Sequence, residues 1–312
     1  MLKAKMRLLT ILSLVLFAAA SFPTQAQDSK NKDQKEKKVY TGTPVLWREP
    51  VDIASRNLLV GAGGEAMKPD LSRVTFVEVK TGGWSTKYRV NDGKGDEWVA
   101  KLSKEAQPET AANRLLWAIG YETEIAHLVP ELVIQGKGTF KNVKLEARPK
   151  DVKRDGLWEW ANNPFVGKQE FQGLKIMMVL INNWDMKDDN NAILVTKGVT
   201  DSERRFIVSD LGATFGKTGG IISRSRNKPS DYVKAEFLNG VKGNVVDFNY
   251  GGKMGKVFEG ITVADAKWLA SWLSKLSDEQ LKDAFRAANY TPSEVDQLAA
   301  AVRARINALA NL

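Results

Sequence analysis

Four residues have types and an order that could do chemistry together. Asp185, Lys187 and Asn190 stand in Trp184-Asp185-Met186-Lys187-Asp188-Asp189-Asn190-Asn191, an Asp-x-Lys-x-x-Asn pattern, and Asp210 opens Asp210-Leu211-Gly212 further on. Phosphoryl transfer asks a protein for positioning and charge neutralisation more than for covalent work. In that chemistry Asp185 would accept the proton of an attacking hydroxyl. Asn190 and Asp210 offer hard oxygen atoms of the kind that hold Mg²⁺ against substrate phosphates. Lys187 would meet negative charge developing on the transferred group. The same residue types also make ordinary solvated turns. The order of base, amide and carboxylate-before-glycine is what favours the chemical reading.

The flanking pattern says what must position them. Glu170 to Trp184 reads as a helix, because Phe171, Leu174, Met177, Met178 and Ile181 recur at spacings of three and four, on one apolar face. The runs 192–195 and 206–209 read as two strands of a hairpin. The helix would hold the Asp185 loop at its end, and the hairpin would return Asp210 beside it.

Upstream, 74–79, 87–90 and 97–102 read as three strands joined by the turns at Thr81-Gly82-Gly83-Trp84-Ser85 and Asn91-Asp92-Gly93. Gly82, Gly83 and Ser85 would turn backbone N–H groups toward phosphate oxygens. Lys101 shares a strand face with Val99, and a lysine on a buried strand face needs a partner. Glu109 is the expected partner, with Glu105 as the alternative. Glu109 has a second use, since an acid in the first turn favours the helix dipole. That helix is expected to begin with Pro108 at its first position and to run to Trp117. Strands follow at 128–135 and 140–147, and Arg148-Pro149 leaves the sheet. Gly61-Ala62-Gly63-Gly64 lacks the strand before and the helix after that a phosphate loop requires. Trp158 and Trp160 read as packing rather than as a wall for a base. The stretch 213–249, with Lys217, Arg224, Arg226 and Lys228, reads as a basic loop. Helices are expected over 264–276, 277–289 and from Thr291 to Asn311, the second capped by Ser277-Asp278-Glu279.

Lys101, the run Gln107-Pro108-Glu109-Thr110-Ala111-Ala112-Asn113-Arg114-Leu115-Leu116-Trp117-Ala118-Ile119-Gly120-Tyr121 and Val129-Pro130 resemble the small lobe of atypical kinases. Those include secretory-pathway, HipA-type and phosphatidylinositol kinases. The span from Arg73 to Gly212 is also similar to a group of uncharacterised exported bacterial proteins. The resemblance implies an α+β, bilobal protein-kinase-like fold, with a small antiparallel-sheet lobe and a mainly helical large lobe. It implies ATP with Mg²⁺, or Mn²⁺ in its place, and a hydroxyl acceptor. Gly82, Gly83 and Ser85 would cover the phosphates and Lys101, fixed by Glu109, would hold them. Asp185 would be the base, and Asn190 and Asp210 the metal ligands. Two departures point away from a standard protein kinase: Asn183-Trp184 precedes Asp185 where that family has His-Arg, and no Ala-Pro-Glu follows Asp210-Leu211-Gly212. A rival from another class is a catalytically inactive pseudokinase that binds a ligand or partner in the cell envelope. A third is a structural envelope protein with a chance motif match.

The 312 residues carry 46 Lys and Arg against 37 Asp and Glu, a formal charge of +9, with no Cys and one His. The basic balance suits anionic partners such as nucleotide phosphates. The lack of Cys removes any disulfide framework, and the single His127 excludes mechanisms that need two histidines. There is no repeat, no zinc-like spacing and no nucleic-acid motif. Lys3, Lys5 and Arg7, an apolar run to Ala20 and Thr24-Gln25-Ala26 form a signal-peptide pattern over 1–26, cleaved near Ala26. The expected product is exported, periplasmic or secreted, with no integral membrane segment left. A polar linker over 27–38, a leading segment and amino-terminal lobe over 39–150, and a carboxy-terminal helical lobe over 151–312 complete the expected organisation.

Overall fold

The computed structural model describes residues 40–81, 85–220 and 223–312. The signal peptide and linker expected over 1–38, and Gly82 and Gly83, lie outside the described residues. Seventeen principal elements follow one another. They are β1 (Pro44–Val45), β2 (Thr75–Lys80), β3 (Thr86–Asn91), β4 (Glu97–Leu102), α1 (Ala106–Ala118), β5 (Ala126–Ile134), β6 (Gly138–Ala147) and β7 (Val152–Gly156). Then come α2 (Gln169–Leu180), β8 (Asn191–Thr196), β9 (Arg204–Val208), α3 (Pro229–Lys234), β10 (Leu238–Lys242), β11 (Val245–Phe248), α4 (Val263–Leu273), α5 (Asp278–Arg286) and α6 (Pro292–Ala310).

The chain adopts the expected α+β architecture, with a small antiparallel-sheet lobe and a mainly helical large lobe. The small lobe is a five-stranded antiparallel sheet in the order β2-β3-β4-β6-β5, with α1 packed against β5 and β6. Alternation along β4 divides its residues between two faces. Trp98 and Ala100 join Val90, Val143 and Leu145 in the small-lobe core. Val99 and Lys101 point the other way, and Lys101 lies opposite Lys144 of β6. The register Lys87↔Lys101 puts Ser85, just before β3, at the Lys101 end of the sheet.

The large lobe is built on α2. Phe171, Leu174, Ile176, Met177, Met178, Val179 and Leu180 are all buried, so the helix is apolar on nearly every side rather than on the one face its spacing suggested. It lies against α4. Capping boxes fix three helix starts: Thr262 with Asp265, Ser277 with Gln280, and Thr291 with Glu294. Each satisfies backbone N–H groups that a helix start leaves open. No helix among the described residues is long and apolar enough to cross a membrane.

Four features differ from expectation. Helix α1 starts at Ala106, which places Pro108 inside the first turn instead of at its first position. Pro108 has no N–H to lose where that donor would be unpaired anyway. The leading segment does not pack wholly on the small lobe: β1 pairs in parallel with β9, and Tyr40, Leu46 and Ile53 join the large core. This supplies partners to the outer edge of β9, which would otherwise be open. Strand β7, absent from the sequence reading, completes a sheet in the order β1-β9-β8-β7. The stretch read as a basic loop contains α3 and the β10–β11 hairpin, with Tyr232, Phe237, Val246 and Phe248 in the core.

Candidate active site

Hairpin register brings the loop residues together. Asn191 pairs with Val208 across β8 and β9, so the residues just outside that pair meet. The carbonyl of Asn190 accepts the backbone N–H of Ser209 at 2.8 Å and of Asp210 at 3.1 Å. It also accepts the Ser209 hydroxyl at 3.1 Å. Asn190 and Asp210 are therefore neighbours by backbone, whatever their side chains hold.

The Asp185 loop begins where α2 ends. Asn182 turns the chain with φ of 54°, a conformation asparagine tolerates better than most residues. The buried Arg305 of α6 holds this end, donating to the Leu180 carbonyl at 2.8 Å and to Asn182 Oδ1 at 2.8 Å. A cation there also complements the negative end of the α2 dipole. The Asn190 side-chain N–H donates to the Asp185 carbonyl at 2.7 Å, closing the loop. The Asp185 carboxylate meets Lys187 Nζ at 3.0 Å and Lys253 Nζ at 2.5 Å. Lys253 comes from the segment after β11, and its backbone N–H donates to the Trp184 carbonyl at 2.8 Å.

Lys101 closes the site from the small lobe. Its Nζ lies 2.5 Å from Glu109, 2.9 Å from Glu105 and 3.4 Å from Asp210 Oδ1. Both candidate partners, Glu105 at the N-cap of α1 and Glu109 in its first turn, thus engage it. Burial by itself would push the ammonium down. The carboxylates of Glu109, Asp210 and Glu105 more than offset that and hold Lys101 above the ordinary lysine range. Asp210 moves the other way: burial would raise it, but Lys101 and the Gly212 N–H hold its carboxyl below the usual range.

Glu109 serves two lysines. One oxygen takes Lys101 and the other takes Lys144 of β6, which is 1% exposed and also meets Glu146 at 3.2 Å. A lysine so buried is tolerated because carboxylates surround it: burial pushes it down, and Glu109 and Glu146 raise it above its ordinary value. The sequence reading missed Lys144 and Lys253. The signal for Lys144 was present, since Lys144-Leu145-Glu146 alternates charge inside an apolar strand. Lys253 had none, because only the tertiary fold brings it to Asp185.

The donor set fits a nucleotide-bound Mg²⁺. Asn190 spends its side-chain N–H on Asp185, and its Oδ1 takes no donor among the described residues. Asp210 takes Lys101 and the Gly212 N–H on Oδ1, and its Oδ2 takes no donor among the described residues. No cluster of three metal-binding acids, histidines or cysteines exists among the described residues. Mg²⁺ sites that act on phosphates need fewer, since the substrate and water supply the rest of the shell.

Other expectations resolve plainly. Ser85 sits just before β3, and the structure shows no contact from it to Lys101 or Asp210. Trp158 and Trp160 are core residues: Trp160 stacks on Phe171, and the Trp158 N–H donates to the Ile207 carbonyl at 2.8 Å. His127 is buried against the Met67 carbonyl at 3.0 Å. Burial, with Arg114 nearby, pushes it down to about 4. Gly61 lies against the Arg114 guanidinium, so that turn packs on α1 and cradles nothing. Arg226 is an ordering residue: it lies over the Trp184 ring at 4.7 Å and pairs with Glu105, tying the segment after Gly212 to the start of α1.

Among known proteins, no family model matches the chain, and no curated protein sequence matches it. Solved structures similar in shape include two kinases. One is the Helicobacter pylori proinflammatory kinase CtkA, at 9% identity and a TM-score of 0.46, covering 78% of this chain and 97% of that one. The other is the Rio2 kinase of Chaetomium thermophilum in an ADP/Mg²⁺-phosphoaspartate complex, at 11% identity and a TM-score of 0.35, covering 78% of this chain and 74% of that one.

Proposed function

We propose that the chain is an exported, ATP- and Mg²⁺-dependent phosphotransferase that passes a phosphoryl group to a hydroxyl acceptor. The observation that carries this reading is the meeting of Lys101, Glu109 and Asp210 across the two lobes, with Asn190 fixed beside Asp210. In this reading Lys101 leaves Asp210 for the nucleotide phosphates while Glu109 keeps it in place. Asn190 and Asp210 would hold Mg²⁺, which when bound would supply neutralisation of charge on the phosphates. Gly82, Gly83 and Ser85 would offer them backbone N–H groups. Asp185 orients the acceptor hydroxyl and receives its proton, and Lys187 meets charge on the transferred group. The test is release of ADP by the purified protein with Mg²⁺-ATP, beside Asp185→Asn. Turnover that falls by about 10²-fold or more in the variant supports the assignment, on the scale of a lost general base. Turnover unchanged in Asp185→Asn removes Asp185 from the reaction.

A second reading has its own observation. Lys187 and Lys253 both engage the Asp185 carboxylate, so an acceptor must displace one of them. A non-catalytic envelope protein on the same fold, binding a ligand or partner, would retain that closed arrangement. It would bind nucleotide or another ligand with no turnover, even in Lys253→Met.

A further inference from the structure

A cavity of about 100 Å³ lies away from the Asp210 site, behind the crossing from β6 to β7. Thr123, Glu124 and Ile125 wall it from the start of β5, Ala147, Arg148 and Pro149 from the crossing, and Val152, Arg154, Leu194 and Arg205 from the large-lobe sheet. Strand register explains the floor. Leu194 of β8 pairs with Arg154 of β7 on one side and with Arg205 of β9 on the other. Cross-strand neighbours share a face, so an apolar residue lies between two arginines. Ala192 and Ile207 extend the apolar part in a small core of their own with Val152.

The two arginines differ in what holds them. Arg154 pairs with Glu124 and, at 3.0 Å, with Glu146. Arg148, from the crossing, pairs with the same Glu146. No carboxylate or carbonyl takes the Arg205 guanidinium among the described residues, although it lines the same cavity. The walls also leave two side-chain oxygens without a hydrogen-bond partner, Thr123 Oγ1 and Oε2 of Glu124, which is 6% exposed. A buried polar atom without a partner is costly, and native interiors avoid it. One half-buried, unmatched cation, one hydroxyl able to donate and an apolar floor in a small half-open cavity together describe a binding site, in which Glu124 Oε2, an acceptor only, gives an anion no contact.

We propose that this cavity binds a small aliphatic monocarboxylate. Its carboxylate lies in the fork of Arg205, a geometry that planar guanidinium and carboxylate groups share, and takes the Thr123 hydroxyl as a second donor. Its short chain lies on Val152, Leu194 and Ile125. One negative charge balances the one unpaired arginine, whereas a dianion would add charge beside Glu124 and Glu146. The volume is well below the roughly 300 Å³ at which pockets for larger ligands begin, which favours a small ligand over a nucleotide. The site is independent of the phosphotransferase reading and stands or falls apart from it.

The test titrates butyrate into the folded protein, following methyl resonances of Ile125, Val152 and Leu194, with inorganic phosphate as a second probe. Arg205→Gln removes the cation, and Val152→Phe fills the cavity from an edge strand; melting curves establish that both fold. The expected result is saturable shifts of those methyls by butyrate, with affinity at least about tenfold weaker in both variants, or 1.4 kcal/mol, and undiminished in Asp210→Asn. Equal binding in Arg205→Gln and the parent, no saturation by butyrate, or binding lost in Asp210→Asn and kept in Arg205→Gln would overturn the proposal. Phosphate shifting the same methyls as tightly as butyrate would overturn the monocarboxylate assignment.

Discussion

Lys101 Nζ lies 3.4 Å from Asp210 Oδ1, although the two residues are 109 positions apart and belong to different lobes. The contact is possible because two local devices point at one another. Strand alternation turns Lys101 out of the small-lobe core, and the β8–β9 hairpin ends at Asp210. Glu105 and Glu109 then keep the ammonium from leaving the cleft.

The buried charge cluster predicts an asymmetry between its lysines and the surface pairs. Lys144→Met leaves Glu109 and Glu146 short of a counter-charge in the interior. It should lower stability by about 3–5 kcal/mol, the range for breaking one side of a buried ion pair. Lys242→Met breaks the exposed pair with Asp247 and should leave stability nearly unchanged, because water already screens that pair. Urea unfolding of the two variants checks the contrast.

Gly212 lies where the Asp210 turn passes the first residues of α1. A Cβ there would come within 2.6 Å of Glu105 Cβ. Gly212→Ala should therefore push the Asp210 turn away from α1 and cost about 1–3 kcal/mol, as overpacking does. It should also weaken Mg²⁺-nucleotide binding, whereas Gly95→Ala in an open turn should leave binding unchanged. Melting curves with and without Mg²⁺-ATP separate the two effects.

His127 makes stability depend on pH. Its folded value is near 4 against an ordinary 6.5, so between those values the unfolded chain binds a proton that the folded chain does not. Stability contributed by the neutral ring is therefore fully present above pH 6.5 and falls as the pH drops toward 4. A shift of this size corresponds to roughly 3 kcal/mol. His127→Gln should flatten the stability profile across that window, measured by urea unfolding at each pH.

Much of the small lobe was legible in the sequence because its signals are local. The strand 97–102 coincides with β4, and the lysine on its buried face announced a partner. The hairpin that sets Asn190 beside Asp210 was legible for the same reason: two short apolar runs with a turn between them. Both acids at the start of α1, Glu105 at its N-cap and Glu109 in its first turn, engage Lys101, which spacing alone left open between them. What stayed hidden depends on contacts far apart in the chain. Strand β1 has two residues and exists because β9 offers it an edge. Arg305 reads as an ordinary helix residue until α6 is laid against the end of α2. Lys253 reaches Asp185 because the segment after β11 folds back onto Trp184.

The central claim is that Lys101 and Asp210 form a nucleotide and metal site, and calorimetric titration of ATP tests it most directly. The parent protein is expected to bind ATP with Mg²⁺ and to lose that binding when the metal is chelated. Asp210→Ala should abolish the Mg²⁺ dependence, and Lys101→Ala should weaken binding by about tenfold or more, the scale of one charge-assisted phosphate contact. Absence of binding in the folded parent, or equal affinity in both folded variants, would contradict the account.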